Sequence, residues 1–499
     1  MTDDFDCDVL VVGGGPVGVT LALLVAGEGA RVIVAEAAAD IYPLPRAAHN
    51  DHEIVRVFQQ IGVAEPIMAT SRSASRYDFL TAGGEILMRF DTGASLGPAG
   101  WPASNMIHQP SIEAALRQRL SVTIGAQLRS NWTFETQRAT ADGVTAYFST
   151  PAGPMTVKAR YLVGCDGARS PVRESIGVAF DDLQFDEPWL VIDTLVHDAS
   201  RLPTANLQVR DPARPTTCVL MGQGRHRWEF MMLPGETAEQ VTEDSFIAEL
   251  LEPWNVAGAV TLERKAVYRF HALVARQWRR GPVLLAGDAA HQMPPFAGQG
   301  LWSGVRDAAN LAWKLGALLR GEAGDGLLDT YQPEREPNVR GIIDMALLMG
   351  RTVCITDPAA AAARDVAMLA QKAAGGGPGG DLSYPPITAG RNLAGSPGAG
   401  EYFPQPSVGA AGEMLRLDDV LGSGAWLIGR DAGDAAAVAG LRTVLLTDPE
   451  MSPFADALGG WLDRRGAQAV LVRPDRYVFG TGSFGDLTAA WGLETDRYG

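Results

Sequence analysis

The chain has 499 residues, 46% of them hydrophobic, with a formal net charge of −16 at pH 7. That length allows two or three domains with large cores, and an acidic balance without a basic block argues against nucleic acid or an anionic membrane as partner. The four cysteines, Cys7, Cys165, Cys218 and Cys354, are scattered without metal-type spacing, so no metal is expected and a reducing, cytoplasmic setting suits them.

Met1-Thr2-Asp3-Asp4 is acidic and runs into an apolar stretch without a charged n-region, so no signal peptide is expected. No apolar run reaches about 20 residues, so no membrane span is expected. Asp8-Val9-Leu10-Val11-Val12 predicts a strand, Gly13-Gly14-Gly15-Pro16-Val17-Gly18 a tight turn into an apolar helix, and Arg31 to Ala35 a second strand closed by Glu36. This strand–turn–helix–strand–acid order fits an ADP moiety. Gly13 permits the turn, Gly15 lets the backbone approach a pyrophosphate, and Gly18 lets helix and strand pack closely. Pro16 opens the helix, whose first N–H groups and dipole favour phosphate, while Glu36 can accept from ribose hydroxyls.

Tyr42-Pro43-Leu44-Pro45-Arg46 is a loop stiffened by two prolines, which can hold Arg46 at a ligand. A polar, glycine-containing patch covers Thr81 to Trp101, and a helix is expected over Ile112 to Leu120, with Gln109 or Ser111 as its cap. Alternation predicts strands at Leu128 to Phe134, Thr145 to Ser149 and Met155 to Leu162. The last runs into Asp166-Gly167, followed by Ser170 as N-cap and Pro171 in the first helical turn. Residues 182 to 270 hold strand-like runs and read as an inserted sheet. Val283 to Ala286 returns to the first domain and delivers Asp288 to a strand's C-terminal end, where α/β sheets bind ligands. Gly298-Gln299-Gly300 opens a long helix to Leu319 with Gly321 as its stop, and its N-terminus suits a negatively charged ring. Helical patterning resumes near Pro333 and runs through Met345. Residues 373 to 400 read as a Gly/Pro/Ala-rich linker, and the tail alternates strands at Ala425 to Ile428, Thr443 to Leu446 and Ala469 to Leu471 with short helices.

Gly13 to Gly18, Cys165-Asp166-Gly167-Ala168 and Gly287-Asp288-Ala289-Ala290-His291, in this order and spacing, resemble the FAD-dependent aromatic hydroxylases of the p-hydroxybenzoate hydroxylase-like flavoprotein monooxygenases. Pro45-Arg46-Ala47, Phe230 to Thr237, Arg306 to Leu315 and Leu471 to Val478 are most similar to the 3-(3-hydroxyphenyl)propionate hydroxylase branch. The resemblance implies an α/β fold: a Rossmann-like FAD-binding domain from 1–78, 104–181 and 266–345, and a mostly antiparallel substrate-binding sheet from 79–103 and 182–265. A helical segment and linker follow over 346–404, then a thioredoxin-like α/β domain over 405–499. That last domain has no cysteine at all, so no redox role is expected.

By position, the resemblance implies that Glu36 binds the adenosine ribose and that Arg46 and Gln109 contact FAD. Asp166 would lie near the dinucleotide, Asp288 would hold the ribityl chain, and Pro295 with Gly298, Gln299 and Gly300 would flank the isoalloxazine. The implied reaction uses NADH or NADPH and O2 to hydroxylate a phenolic substrate, ortho to an existing hydroxyl, through a flavin C4a-hydroperoxide. Arg46 and Pro295 would belong to the catalytic centre. The residues assign no base: His49 is the best-placed histidine, Tyr42 is an alternative and His291 reads as structural, while a loop histidine bonded to backbone is the favoured reading of His49. Trp302, Met231 and Arg227 are the expected substrate contacts, with core packing the competing role for Met231 or Met232. A small phenol is the expected partner, and a homodimer stays open. Two other outcomes remain: a biosynthetic monooxygenase acting on a polyketide or antibiotic, Baeyer–Villiger insertion included, and a non-catalytic flavin-binding protein.

Overall fold

The computed structural model describes residues 4–497 apart from 75, 92–94, 141, 223, 376–383, 410–412, 432–437 and 439. The middle of the expected linker, 376–383, therefore lies outside the described residues.

The first sheet has the order Arg279–Arg280, Val283–Leu285, Gly153–Gly164, Cys7–Val12, Val32–Glu36, Ala126–Ser130. The pairings among its last five strands are parallel, and Thr133–Ala139 and Val144–Thr150 extend Gly153–Gly164 as an antiparallel flap. A parallel sheet covered on both faces needs apolar residues at every position, and Val9, Leu10, Val11 and Val12 are all buried. Helix Pro16–Gly27 is apolar on all sides because it is wedged between this sheet and helix Gly300–Leu319. The strand expected over 128–134 is two strands, split at Asn131, whose φ of 60° turns the chain. The helix expected from Ile112 starts at Gln109, and neither candidate side chain caps it. Ser170 does cap Pro171–Ser175, accepting from Arg173 N at 2.9 Å.

The second sheet is mostly antiparallel, with the order His291–Gln292, Val260–Ala275, Phe180–Val196, Arg225–Met231, Thr216–Leu220, Asn206–Val209, Arg76–Leu80, Ile86–Asp91. Its two faces follow the period of two. Leu190, Ile192, Trp228, Phe230 and Met232 share one buried cluster with Ile247 of helix Asp244–Leu251. Trp189 and Met231, on the other face, pack against Val353. The helical pattern expected to 345 continues to Val353 as Tyr331–Val353, and Pro358–Ala373 follows.

The C-terminal sheet has the order Leu441–Leu445, Ala425–Gly429, Ala469–Val472, Val478–Gly482. Alternation again divides its core: Trp426, Ile428 and Val470 pack with helix Ala455–Asp463, and Ala425, Leu427 and Leu471 with Phe484 and Leu487 of helix Phe484–Arg497. Buried ion pairs tie this unit to the first: Arg56 to Asp418 at 2.6 Å, and Arg473 to Glu334 at 2.6 Å. Among the described residues, no helix is long and apolar enough to cross a membrane, and no cluster of three potential metal ligands occurs.

Candidate active site

The glycine turn leaves the C-terminal end of Cys7–Val12. A Cβ on Gly13 would lie 2.3 Å from the carbonyl oxygen of Cys165, and one on Gly18 would lie 2.0 Å from that of Gly13, so both positions exclude a side chain. A Cβ on Gly15 would meet nothing within 4 Å, because this residue faces an open cavity. Glu36 fixes the far side of the turn. One carboxylate oxygen accepts from Gly14 N at 2.6 Å and the other from Ala38 N at 2.7 Å.

The cavity, about 1020 Å³, runs from this turn to the face of the second sheet. Gly13, Gly15, Pro16, Glu36, Arg46, His49, Gln109, Asp166, Asp288, Pro295, Gly298 and Gly300 all line it, so segments far apart in the chain converge there. Gln109 braces the Arg46 loop by accepting from Ala47 N at 2.7 Å while donating to Glu113 at 2.7 Å. Arg46 itself is half exposed, 4.0 Å from Glu113. Burial pushes the carboxyls of Asp166 and Asp288 above the usual range. Asp166 accepts from Ser170 Oγ and from Val172 N, so it also orders the start of the following helix. His49 bonds Ser104 Oγ through Nε2 at 2.8 Å, and its ring borders Gly298. Enclosure lowers its pKa below the ordinary histidine value, against the attraction of Asp51.

Three expected contacts fall outside the cavity lining, and a fourth is committed to protein partners. Trp302 is buried against Phe58, with its indole N–H donated to the carbonyl of His49, so it supports the wall from behind instead of facing a substrate. Met231 is covered by Trp189 and Val353. Gln299 is buried and turned away from the cavity, donating to Tyr384 Oη at 2.7 Å and Asp51 at 3.1 Å and accepting from Arg306 at 2.9 Å. Arg227 reaches the cavity wall, but its guanidinium is committed. It holds Asp193 through two nitrogens, at 2.6 and 3.1 Å, and donates to the carbonyls of Pro45 and Arg46 at 2.9 and 2.7 Å. His291 is buried against Asp307 at 2.6 Å, outside the cavity lining.

A family described as FAD binding domain matches residues 6–346. The chain belongs to this family. It is 37% identical, over 495 residues, to a probable NADH-specific resorcinol 4-hydroxylase of Rhodococcus jostii (strain RHA1), spanning 95% of this chain and 91% of that protein. It is 35% identical to a 3-(3-hydroxy-phenyl)propionate/3-hydroxycinnamic acid hydroxylase of Mycobacterium sp. (strain JLS), spanning 96% and 89%. Its fold is similar to that of aklavinone-11 hydroxylase, solved with FAD and aklavinone, with a TM-score of 0.79 at 26% identity over 99% of this chain and all of that one. The protein is thus an FAD-dependent monooxygenase, and the two-sheet architecture with its C-terminal α/β unit is that of this flavoprotein class.

The flavoprotein's residues fit FAD on their own geometry: an open approach at Gly15, a carboxylate anchored at the end of Val32–Glu36, and a second carboxylate, Asp288, on the same cavity wall. Several lining residues carry no motif in the sequence. Arg117, which donates to the carbonyl of Gly14 at 3.2 Å, had a readable signal, because Gln109, Glu113 and Arg117 are spaced to share one helical face. Tyr384, Met349 and Glu229 had none.

Proposed function

We propose that the protein hydroxylates a small phenolic ring ortho to an existing hydroxyl, with NADH as electron donor. The single observation that carries this reading is the continuity of the cavity from the glycine turn to the second sheet, with His49 on its wall beside Gly298. Bound FAD supplies the hydride acceptor and the oxygen-activating chemistry. Gly13, Gly15 and the start of Pro16–Gly27 would receive its pyrophosphate, Glu36 its adenosine ribose, and Asp288 its ribityl hydroxyls. Pro295 and the Gly298–Gly300 backbone would flank its ring, with Arg46 and Gln109 closing the near side and Asp166 beside the dinucleotide.

His49 would accept the phenol proton. Its lowered pKa leaves the imidazole neutral at pH 7, and Ser104 fixes the ring orientation. The apolar wall excludes water that would divert the oxidant. NADH use is supported by the name of the Rhodococcus relative, and a phenolic substrate by the names of both relatives. The likeness to a hydroxylase solved with aklavinone favours a second reading, a larger polycyclic phenol.

The test is a panel of resorcinol, phenolic acids and polycyclic phenols, scored by NADH oxidation, product NMR and peroxide release. The expected result is substrate-stimulated NADH oxidation with an ortho-hydroxylated product. Stimulation by none of them, or peroxide as the sole oxygen product, contradicts the proposal.

A further inference from the structure

Arg227, Glu229 and Met231 alternate onto the same face of the second sheet. Met231 is covered, Arg227 is committed to Asp193 and two carbonyls, and Glu229 lies between them. Its neighbours across the sheet are Val191 on one strand and Thr217 on the other, and all three line the cavity. Among the described residues the Glu229 carboxylate has one charged partner, Arg227 Nη1 at 3.6 Å, and accepts no hydrogen bond. Only 15% of its side chain is exposed, and burial raises its carboxyl above the usual range. Tyr77, another wall residue, bonds Gln208 instead.

The cations nearest this face have carboxylate neighbours at its rim: Arg76 lies 3.1 Å from Asp78, which also holds Arg89, and the exposed Arg269 lies 2.9 Å from Asp186. Beside Val191 and Thr217 the cavity wall therefore carries an acidic acceptor to which no donor among the described residues is hydrogen-bonded. A buried acceptor without a donor is costly, and a ligand hydroxyl relieves that cost. A ligand carboxylate would meet like charge in a poorly solvated space.

Resting on the hydroxylase reading, we infer that Glu229 determines specificity. Its carboxyl accepts a hydrogen bond from a second hydroxyl on the substrate ring, so the site takes a neutral dihydroxybenzene and discriminates against a phenol bearing a carboxylate chain.

The test uses FAD-loaded wild type and Glu229→Gln with two ligands, resorcinol and 3-(3-hydroxyphenyl)propionate. Binding is read from the perturbation of the flavin absorbance, and turnover from coupled product. Wild type is expected to prefer resorcinol by about ten- to a hundredfold, the size of a charge-assisted hydrogen bond. Glu229→Gln should keep its FAD, raise the Kd for resorcinol about tenfold, and narrow the preference. Equal or better binding of the acid by wild type overturns the inference, even if the variant fails to fold. So does an unchanged preference in a well-folded variant. If both phenols are hydroxylated and the preference does not move, only the role of Glu229 falls. If neither binds nor reacts in protein that holds FAD, the inference falls and the small-phenol reading falls with it.

Discussion

His49 is held by Ser104 Oγ at 2.8 Å on a cavity wall that lowers its pKa, and the sign of the pH dependence follows from that. An ordinary histidine titrates near about 6.5. With its pKa depressed, His49 stays neutral from pH 7 down past that point and loses its capacity as a base only in more acidic solution. The kcat profile should therefore be flat through neutrality and fall on the acid side. His49→Asn should abolish that limb and lower kcat by about 10²- to 10⁴-fold, with FAD content unchanged. An unaltered kcat would return His49 to the role of a loop residue.

At the scale of elements, Arg227 links the second sheet to the Pro45-Arg46 loop, so a strand of one sheet positions a loop that follows a strand of the other. Arg227→Leu strands Asp193, which is 1% exposed, with Arg264 at 3.6 Å as its remaining cation among the described residues. Removing one partner of a buried pair costs about 3–5 kcal/mol, and the remaining arginine puts the expected loss at the lower end. Denaturant unfolding should report that loss, and weaker FAD retention should accompany it as the loop loses the two hydrogen bonds from Arg227 and keeps that from Arg264 to the Pro45 carbonyl. A variant as stable as wild type would mean that the pair is dispensable.

The glycine turn, Glu36 and the Asp288 strand end were legible because their parts are contiguous and their spacing is set by local geometry. The second-sheet face of the cavity was not. Alternation says that Trp189 and Val191, or Met231 and Glu229, share a side. It does not say that helix Tyr331–Val353 covers the first of each pair and leaves the second open. Trp302 misled for a similar reason. The Gly298–Gly300 backbone reaches the cavity, but two residues on, the turn of the helix points the indole toward Phe58. The strand expected over 128–134 concealed Asn131, whose left-handed backbone no pattern of apolar residues announces.

For the whole molecule, the C-terminal unit is tied to the FAD-binding body through buried ion pairs. Burial alone would raise the Glu334 carboxyl, but Arg473 and Lys314 outweigh it and hold it far below the usual range. Lys314 Nζ lies 2.8 Å from Glu334, and Asn310 bridges Glu334 to Asp475. A depressed carboxyl contributes stability above its unfolded value, near about 4.3, and loses that contribution as pH falls toward the folded value. Stability should thus decline in acid below pH of about 5, and Glu334→Gln should flatten that slope. Arg473→Met should cost about 3–5 kcal/mol in a thermal or denaturant melt. An unchanged melt would mean that the Arg473–Glu334 pair is dispensable to the junction.

The central claim is that one continuous cavity holds FAD beside a phenol. The most direct measurement is oxygen incorporation by FAD-loaded protein given NADH and resorcinol under ¹⁸O2, with the product analysed by mass and NMR. Yellow protein and a product carrying one labelled oxygen on the ring are expected. Colourless, folded protein that refuses added FAD, or NADH oxidation that leaves the phenol unlabelled, would contradict it.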